Sequence, residues 1–236
     1  MVVVDSGSSD DTVAIARRTG AEVIEIPAAS FTYGGSLNTG TAAATTDFVV
    51  ALSAHAFPVH DRWLEAMLAP FADASVACTT SNDYAPEGGP LRETIVQDEA
   101  HARRYPMWGY SNAAGAFRRE LWSEKPFRAD MPGTEDKEWA WHWLTRGMTL
   151  VVSPEMRVDH THGKDPAREL FERSRREWYG LGMYYELDPY PARAALSEWW
   201  SELEGRPSHL RARISHRRAA RIAGRWRAQR QLSRRS

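Results

Sequence analysis

The stretch 46–58, TDFVVALSAHAFP, constrains the fold of this chain more than any other. Five of the six residues from Phe48 to Ser53 are apolar and two are β-branched, with a polar cluster before them and Pro58 after. That pattern predicts a strand buried on both faces, and hence an α/β architecture with a covered sheet. Where the strand ends, Ser53, Ala54 and His55 follow, none of them core material. Ligands bind at the carboxyl ends of strands in open α/β sheets, so His55 is the first candidate binding residue.

A chain of 236 residues with 42% hydrophobic and 26% charged side chains has the composition of one soluble globular domain with an appendage. Its one cysteine, Cys78, lies in SVACTT, which reads as a buried strand. An internal disulfide is excluded, and the thiol reads as a small apolar group rather than a nucleophile. No apolar run approaches the roughly 20 residues needed to span a bilayer, and Met1 leads directly into a strand. The expected compartment is the cytoplasm. The net charge of -1 hides an asymmetry: residues 206–236 hold 11 arginines and no acidic residue, while the preceding 205 carry 19 basic and 31 acidic side chains, a balance of -12.

The chain opens with Val2, Val3 and Val4, then Asp5, a Ser/Gly/Asp turn and the helical stretch VAIARRTGA. Ser8 with Asp11 fits a capping box, Gly20 stops the helix, and 22–26 returns as a strand. This is a β-α-β unit, which implies parallel strands. Asp5, at a strand's carboxyl end, is suited either to turn duty or to hydrogen bonds with a ribose or base, whereas Asp10 suits a cap. A chain that begins with an interior strand predicts that a preceding strand and helix are absent. Next, 36–44 reads as a small-residue helix whose Asn38 and Gly40 serve either tight packing or close approach to a phosphate or sugar.

After Pro58, DRWLEAMLAPF is an amphipathic helix with Trp63, Met67 and Leu68 inward, and 75–80 is a strand. Residues 82–104 form a long polar excursion of the kind that is functional or mobile in compact domains. WGYSNAAGAFRRELW, 108–122, has an aromatic entrance and then a helix, and the loop RADMPGTED delivers Glu135 and Asp136 to the start of another helix. Paired carboxylates there serve the helix dipole or chemistry; the glycine, proline and aromatic residues around them favour chemistry. MTLVVSPEMRVDHTHG reads as two short strands around Pro154, with His160 and His162 projecting from the same face, a spacing able to chelate a divalent ion. Beyond 165 come helices rich in arginine and aromatic residues. In the basic segment 206–236, Leu210, Ile214, Ile222 and Trp226 fall at multiples of four. Such an amphipathic helix lies on anionic lipid, docks on the acidic body of its own protein, or binds nucleic acid. No nucleic-acid-binding motif accompanies it, so a nucleic-acid partner is not expected.

Together these stretches resemble the family-two glycosyltransferases with a GT-A fold, especially the rhamnosyltransferase-like bacterial branch. VVVDSGSSDDT is similar to the family's nucleotide-binding VVDDGSTDGT motif, SLNTG to its asparagine and glycine element, and LSAHAFP sits where the family has its DxD. SNAAGAFRRELW resembles the stretch before the acceptor side, TEDKEW the ED motif and RVDHTH the late histidine element. Three departures stand out: the opening strand and loop are missing, Ser6 replaces a second aspartate, and DxD becomes Ser53-Ala54-His55.

The resemblance implies a GT-A-like, mostly parallel central sheet flanked by helices over 1–165, a helical extension over 166–205 and a basic amphipathic tail over 206–236. It implies an inverting transfer of a hexosyl group from a UDP- or dTDP-linked sugar to a polysaccharide or lipid-linked acceptor. Asp136 would be the general base, and Glu135 would orient the acceptor or cap the helix. Asp5, Ser6, Asn38, Ser53 and His55 would contact the donor, and Trp108, Tyr110 and Asn112 the acceptor. A divalent metal, Mn2+ or Mg2+, would be held by His55 with His160 or His162. Imidazole is a competent borderline ligand, but serine does not replace the charge of the first aspartate. The implied setting is the inner face of the plasma membrane, with the tail on anionic lipid. The alternative is a non-catalytic sugar-nucleotide-binding or scaffold protein with the same fold.

Overall fold

The computed structural model describes residues 1–160, 165–201 and 208–234, with the side chains of 208–215 outside that description. His162, one of the candidate ligands, falls outside the described residues. The chain forms two compact units, 1–131 with 135–161, and 132–134 with 162–236.

The first unit starts with β1 (Val2–Asp5), α1 (Thr12–Arg18) and β2 (Glu22–Glu25), the expected parallel β-α-β. The capping box does not form. Asp11 caps α1 without a side-chain hydrogen bond, Thr12 is bonded by Asp10, and Ser8 turns back to Asp5. The following elements are α2 (Tyr33–Ala43), β3 (Phe48–Leu52), β4 (Phe57–Pro58), α3 (Trp63–Leu68) and β5 (Val76–Thr80). The polar excursion is ordered: it contains β6 (Ile95–Gln97) and α4 (Glu99–Arg104), whose cap Asp98 accepts from the His101 amide. Then come β7 (Ala114–Arg118), α5 (Arg119–Glu124), α6 (Glu135–Leu144), β8 (Thr149–Val152) and β9 (Val158–Asp159).

The central sheet has the order β3-β7-β5-β8-β6. β3, β5 and β8 run one way, while β7 between β3 and β5, and β6 at the far edge, run the other. Alternation along these strands separates two apolar layers. Phe117, Leu150 and Val152 face Trp139, Trp143 and Phe127 on one side, whereas Ala116, Val151 and Val76 join Trp63, Met67 and Phe71 on the other. Trp139, fully buried on α6, anchors the first layer and donates its indole N–H to the Lys125 carbonyl at 2.6 Å; truncating such a side chain costs about 3–5 kcal/mol. Burial on both faces holds for every residue of β5 but not for β3, where Phe48 to Val50 are half-buried and Leu52 is exposed. The reason is position: β3 ends the five-stranded order and, among the described residues, pairs only with β7.

In the second unit, α7 (Ala167–Leu181) and α8 (Ala192–Ser201) precede α9 (Ser208–Leu232), and α9 lies along α7. Close approach depends on Gly224, where an added Cβ would sit 2.5 Å from the Phe171 carbonyl oxygen. Residues of the helical extension and of the basic tail thus fall in one unit, and Ile222 and Ala228 of the tail are buried in it. The Arg225 guanidinium lies 4.0 Å and 3.9 Å from the ring centres of Trp178 and Tyr190, a double cation–π contact. Glu198 pairs with both Arg218 and Arg225 at 3.4 and 3.6 Å.

Candidate active site

Two short strands create the first part of the site. β4 and β9 pair antiparallel, Phe57 opposite Asp159, which brings the residues just before β4 and just after β9 together. The His55 and His160 Nε2 atoms are 2.8 Å apart, their rings stack at 4.4 Å, and Ser53 Oγ lies 3.1 Å from His55 Nδ1. A 2.8 Å contact between two imidazole nitrogens requires one protonated donor and one bare acceptor. The two ring nitrogens lie within hydrogen-bond distance of each other, and the Ser53 hydroxyl lies beside the His55 ring.

The same pair fits a divalent ion in part. With metal–imidazole bonds of about 2.0–2.1 Å, two nitrogens bound at right angles to one ion stand about 3 Å apart. The observed separation is within a few tenths of an ångström of that, so His55 and His160 in their neutral forms can supply two adjacent ligands. Among the described residues no group of three or more His, Cys, Asp or Glu side chains gathers to hold a metal. Remaining ligands would have to come from elsewhere.

The second part is the start of α6. Thr134 has φ 64°, an unusual left-handed conformation for a β-branched residue, and it turns the chain into Glu135 and Asp136. Glu135 is 5% exposed, whereas Asp136 is half-buried. Burial, and then the charge of Asp136, push the Glu135 carboxyl up to about 7. The Asn112 side chain, facing Glu135, offsets part of that rise. Asp136 accepts from the backbone N–H of Asn112 at 3.3 Å and of Lys137 at 2.7 Å. The pair joins a buried carboxyl held at about 7 to a more exposed one beside it.

The third part is the β1–α1 loop. Asp5 is buried, and its carboxylate accepts from the Gly7 and Ser8 amides at 2.9 and 3.0 Å and from the Ser8 hydroxyl. The Ser8 hydroxyl first, then those amides, hold the Asp5 carboxyl below its usual range. Its geometry is that of a loop organiser. Ser6, half-buried beside it, stands in the same loop.

Four further candidates, Asn38, Tyr110, Asn112 and Trp108, are buried or half-buried. Asn38 clamps its helix to a distant segment: its side chain donates to the Phe127 carbonyl and accepts from the Phe127 N–H and the Trp122 indole, at 2.8–3.0 Å. Tyr110 is 1% exposed and packed against Gly115, so it cannot stack on an acceptor sugar; burial also raises its phenol well above the ordinary range. The Asn112 amide is buried without a hydrogen bond of ordinary geometry, and its backbone N–H contacts the site instead. Trp108 is half-buried, with its indole N–H on the Tyr84 carbonyl at 2.8 Å. One residue escaped sequence reasoning. Lys137, directly after the carboxylate pair, donates to the Tyr110 carbonyl at 3.1 Å and places a cation there; its adjacency in TEDKEW was the available signal.

The glycosyl transferase family 2 profile matches residues 1–124, more than half of the chain, and the chain belongs to that family. It is 26% identical over 205 residues to the O-antigen chain rhamnosyltransferase WbaN of Salmonella anatum, a match covering 80% of this chain and 64% of that protein. The corresponding enzyme RfbN of Salmonella typhimurium is 23% identical, with the same coverage. The chain thus spans 64% of the length of these relatives. Among solved structures, the mannosyltransferase PcManGT of Pyrobaculum calidifontis, in complex with GDP-Man and Mn2+, superposes with a TM-score of 0.65 at 19% identity, covering 98% of this chain and 77% of that one. Glucosyl-3-phosphoglycerate synthase of Mycobacterium tuberculosis, with Mn2+, UDP and glucosyl-3-phosphoglycerate, gives 0.58 at 21% identity, covering 80% and 69%. These likenesses establish the GT-A-type α/β fold.

Proposed function

We propose that this chain carries the donor-binding and catalytic machinery of an inverting glycosyltransferase, moving a sugar from a UDP- or dTDP-linked donor to a hydroxyl of a polysaccharide or lipid-linked acceptor. The observation that carries this reading is the carboxylate pair at the start of α6, with an accessible Asp136 beside a buried Glu135 held at about 7. Environments that push two neighbouring carboxyls apart mark acid–base work.

In this mechanism the acceptor hydroxyl attacks the anomeric carbon, its proton passes to Asp136, and the bond to the nucleoside diphosphate breaks on the opposite face. The Asn112 N–H orients the receiving carboxylate. Glu135, its carboxyl held at about 7, carries only part of a second negative charge near neutral pH, and Lys137 lies beside the pair. His55 and His160 would hold a divalent ion, Mn2+ more readily than Mg2+ because imidazole is not a hard oxygen donor. When bound, that ion would neutralise charge on the diphosphate. The work would take place on the inner face of the plasma membrane, where the arginines of α9 meet anionic lipid.

The test joins binding to turnover. Calorimetric titration with UDP and with dTDP, each with and without Mn2+, should give metal-dependent binding that His55→Ala weakens about 10-fold or more. Asp136→Asn should leave that binding intact while lowering kcat for sugar transfer by about 10²–10⁴-fold. A folded wild-type protein that binds donor but neither transfers nor hydrolyses the sugar would support the non-catalytic alternative, and one that binds no nucleotide would remove both readings.

A further inference from the structure

A cleft of about 380 Å³ lies within the second unit, lined by Pro132, Arg175, Tyr179, Gln231 and Arg234. Its volume is near the lower end of the roughly 300–1,000 Å³ typical of small-molecule sites. The polar lining is cationic, and among the described residues no carboxylate belongs to it. Arg175 is pre-positioned: Glu172, outside the lining, accepts from its Nε and Nη2 at 3.0 and 2.9 Å, and Gln231 Oε1 accepts from its Nη1 at 3.3 Å. Fixing the Gln231 oxygen on Arg175 leaves that amide's NH2 group as the donor toward other partners. Arg234 adds a second guanidinium to the lining, and Tyr179 and Pro132 add apolar surface. The surrounding unit holds 17 basic and 9 acidic side chains, a formal +8, so its field favours an anion.

We infer that this cleft binds a phosphate or diphosphate group, carried by the acceptor or by a lipid headgroup. Guanidinium forks match phosphate oxygens in pairs, and the proline and tyrosine surface suits the apolar part of an ester. The link to an acceptor rests on the glycosyltransferase reading, whereas the anion site does not.

The experiment uses the full chain with inorganic pyrophosphate as the probe, in EDTA so that no metal contributes. Arg234→Gln should weaken binding about 10-fold. Glu172→Gln should tighten it several-fold, because Arg175 then no longer shares its charge; a merely structural role for Glu172 predicts no gain. His55→Ala, which acts on the donor site, should leave pyrophosphate affinity unchanged. Loss of binding with His55→Ala alone, indifference to both cleft substitutions, or no binding by the folded wild type would each overturn the assignment. UDP titration with Mn2+ on the same proteins reads the donor site separately, so its failure is distinguishable from failure of the cleft. Phosphatidylglycerol vesicles separate the two sources: vesicle binding that Arg234→Gln abolishes identifies a lipid headgroup, and vesicle binding it leaves intact identifies the acceptor's phosphate.

Discussion

Glu135 and Asp136 are covalent neighbours with opposite surroundings, and that difference has a consequence for stability as well as for chemistry. The folded Glu135 carboxyl ionises at about 7, above its ordinary 4.5, because burial disfavours the charge and Asp136 repels it. Between those values the folded state keeps a proton that the unfolded chain has released. Stability associated with this group is therefore fully present below about pH 4.5 and is lost as pH rises toward 7. Glu135→Gln removes the titration while keeping the shape. It should raise the Tm at about pH 8 and shrink the difference between about pH 5 and pH 8; thermal melts at both values check this. A wild-type difference preserved in the variant would assign the pH dependence to other groups. The raised value was not readable from the motif, since TEDKEW looks the same whether its first carboxylate is wet or dry. Asn38 was unreadable for a related reason: its partners lie 84 and 89 positions away.

At the scale of elements, the chain reaches the carboxylate pair through a strained turn braced by a helix. On α7, a Cβ added to Gly180 would lie 2.2 Å from the Gly133 carbonyl oxygen and 2.4 Å from Thr134 Oγ1. Gly180 lies in the last turn of α7, so a side chain there forces the helix end and the turn apart. Gly180→Ala should destabilise the protein by about 1–3 kcal/mol. Because Thr134 leads directly into Glu135, it should also lower kcat while leaving UDP affinity unchanged. Denaturant melts and titration measure the two effects, and unchanged turnover would show that the turn does not set the carboxylates. The order strand, turn, helix, strand at the start was legible because its period and turn residues are local. The reversal of β7 between β3 and β5 was not, since antiparallel insertion joins residues 35 to 70 positions apart and leaves no local signature. The same limit explains β3: apolar content announced a strand, but only the strand order reveals that it occupies an edge.

Across the whole molecule, charge and structure divide along the same line. The first unit carries 13 basic and 22 acidic side chains and the second 17 and 9, so the near-zero net charge is the sum of -9 and +8. The sequence showed the arginine-rich end but not its occupation, because the partners of its arginines come from α7, α8 and the segment between them. Glu198 is the hub: it pairs with Arg218 and Arg225 and accepts from the Tyr190 hydroxyl, while Arg225 is held between two aromatic rings. Its side chain is 32% exposed, so water screens the pairs and their loss should cost about 1–2 kcal/mol rather than the larger penalty of a fully buried pair. Each unit has its own buried side chains, with Leu170, Leu181 and Ile222 in the second and the layers around Trp139 and Met67 in the first. Glu198→Ala should therefore speed amide hydrogen exchange in α7 and α9 and leave β5, β7 and β8 protected, since local openings follow cooperative units. Equal loss of protection in all of these elements would mean that the two units open as one, and that the second unit's arginine network supports the fold of the first.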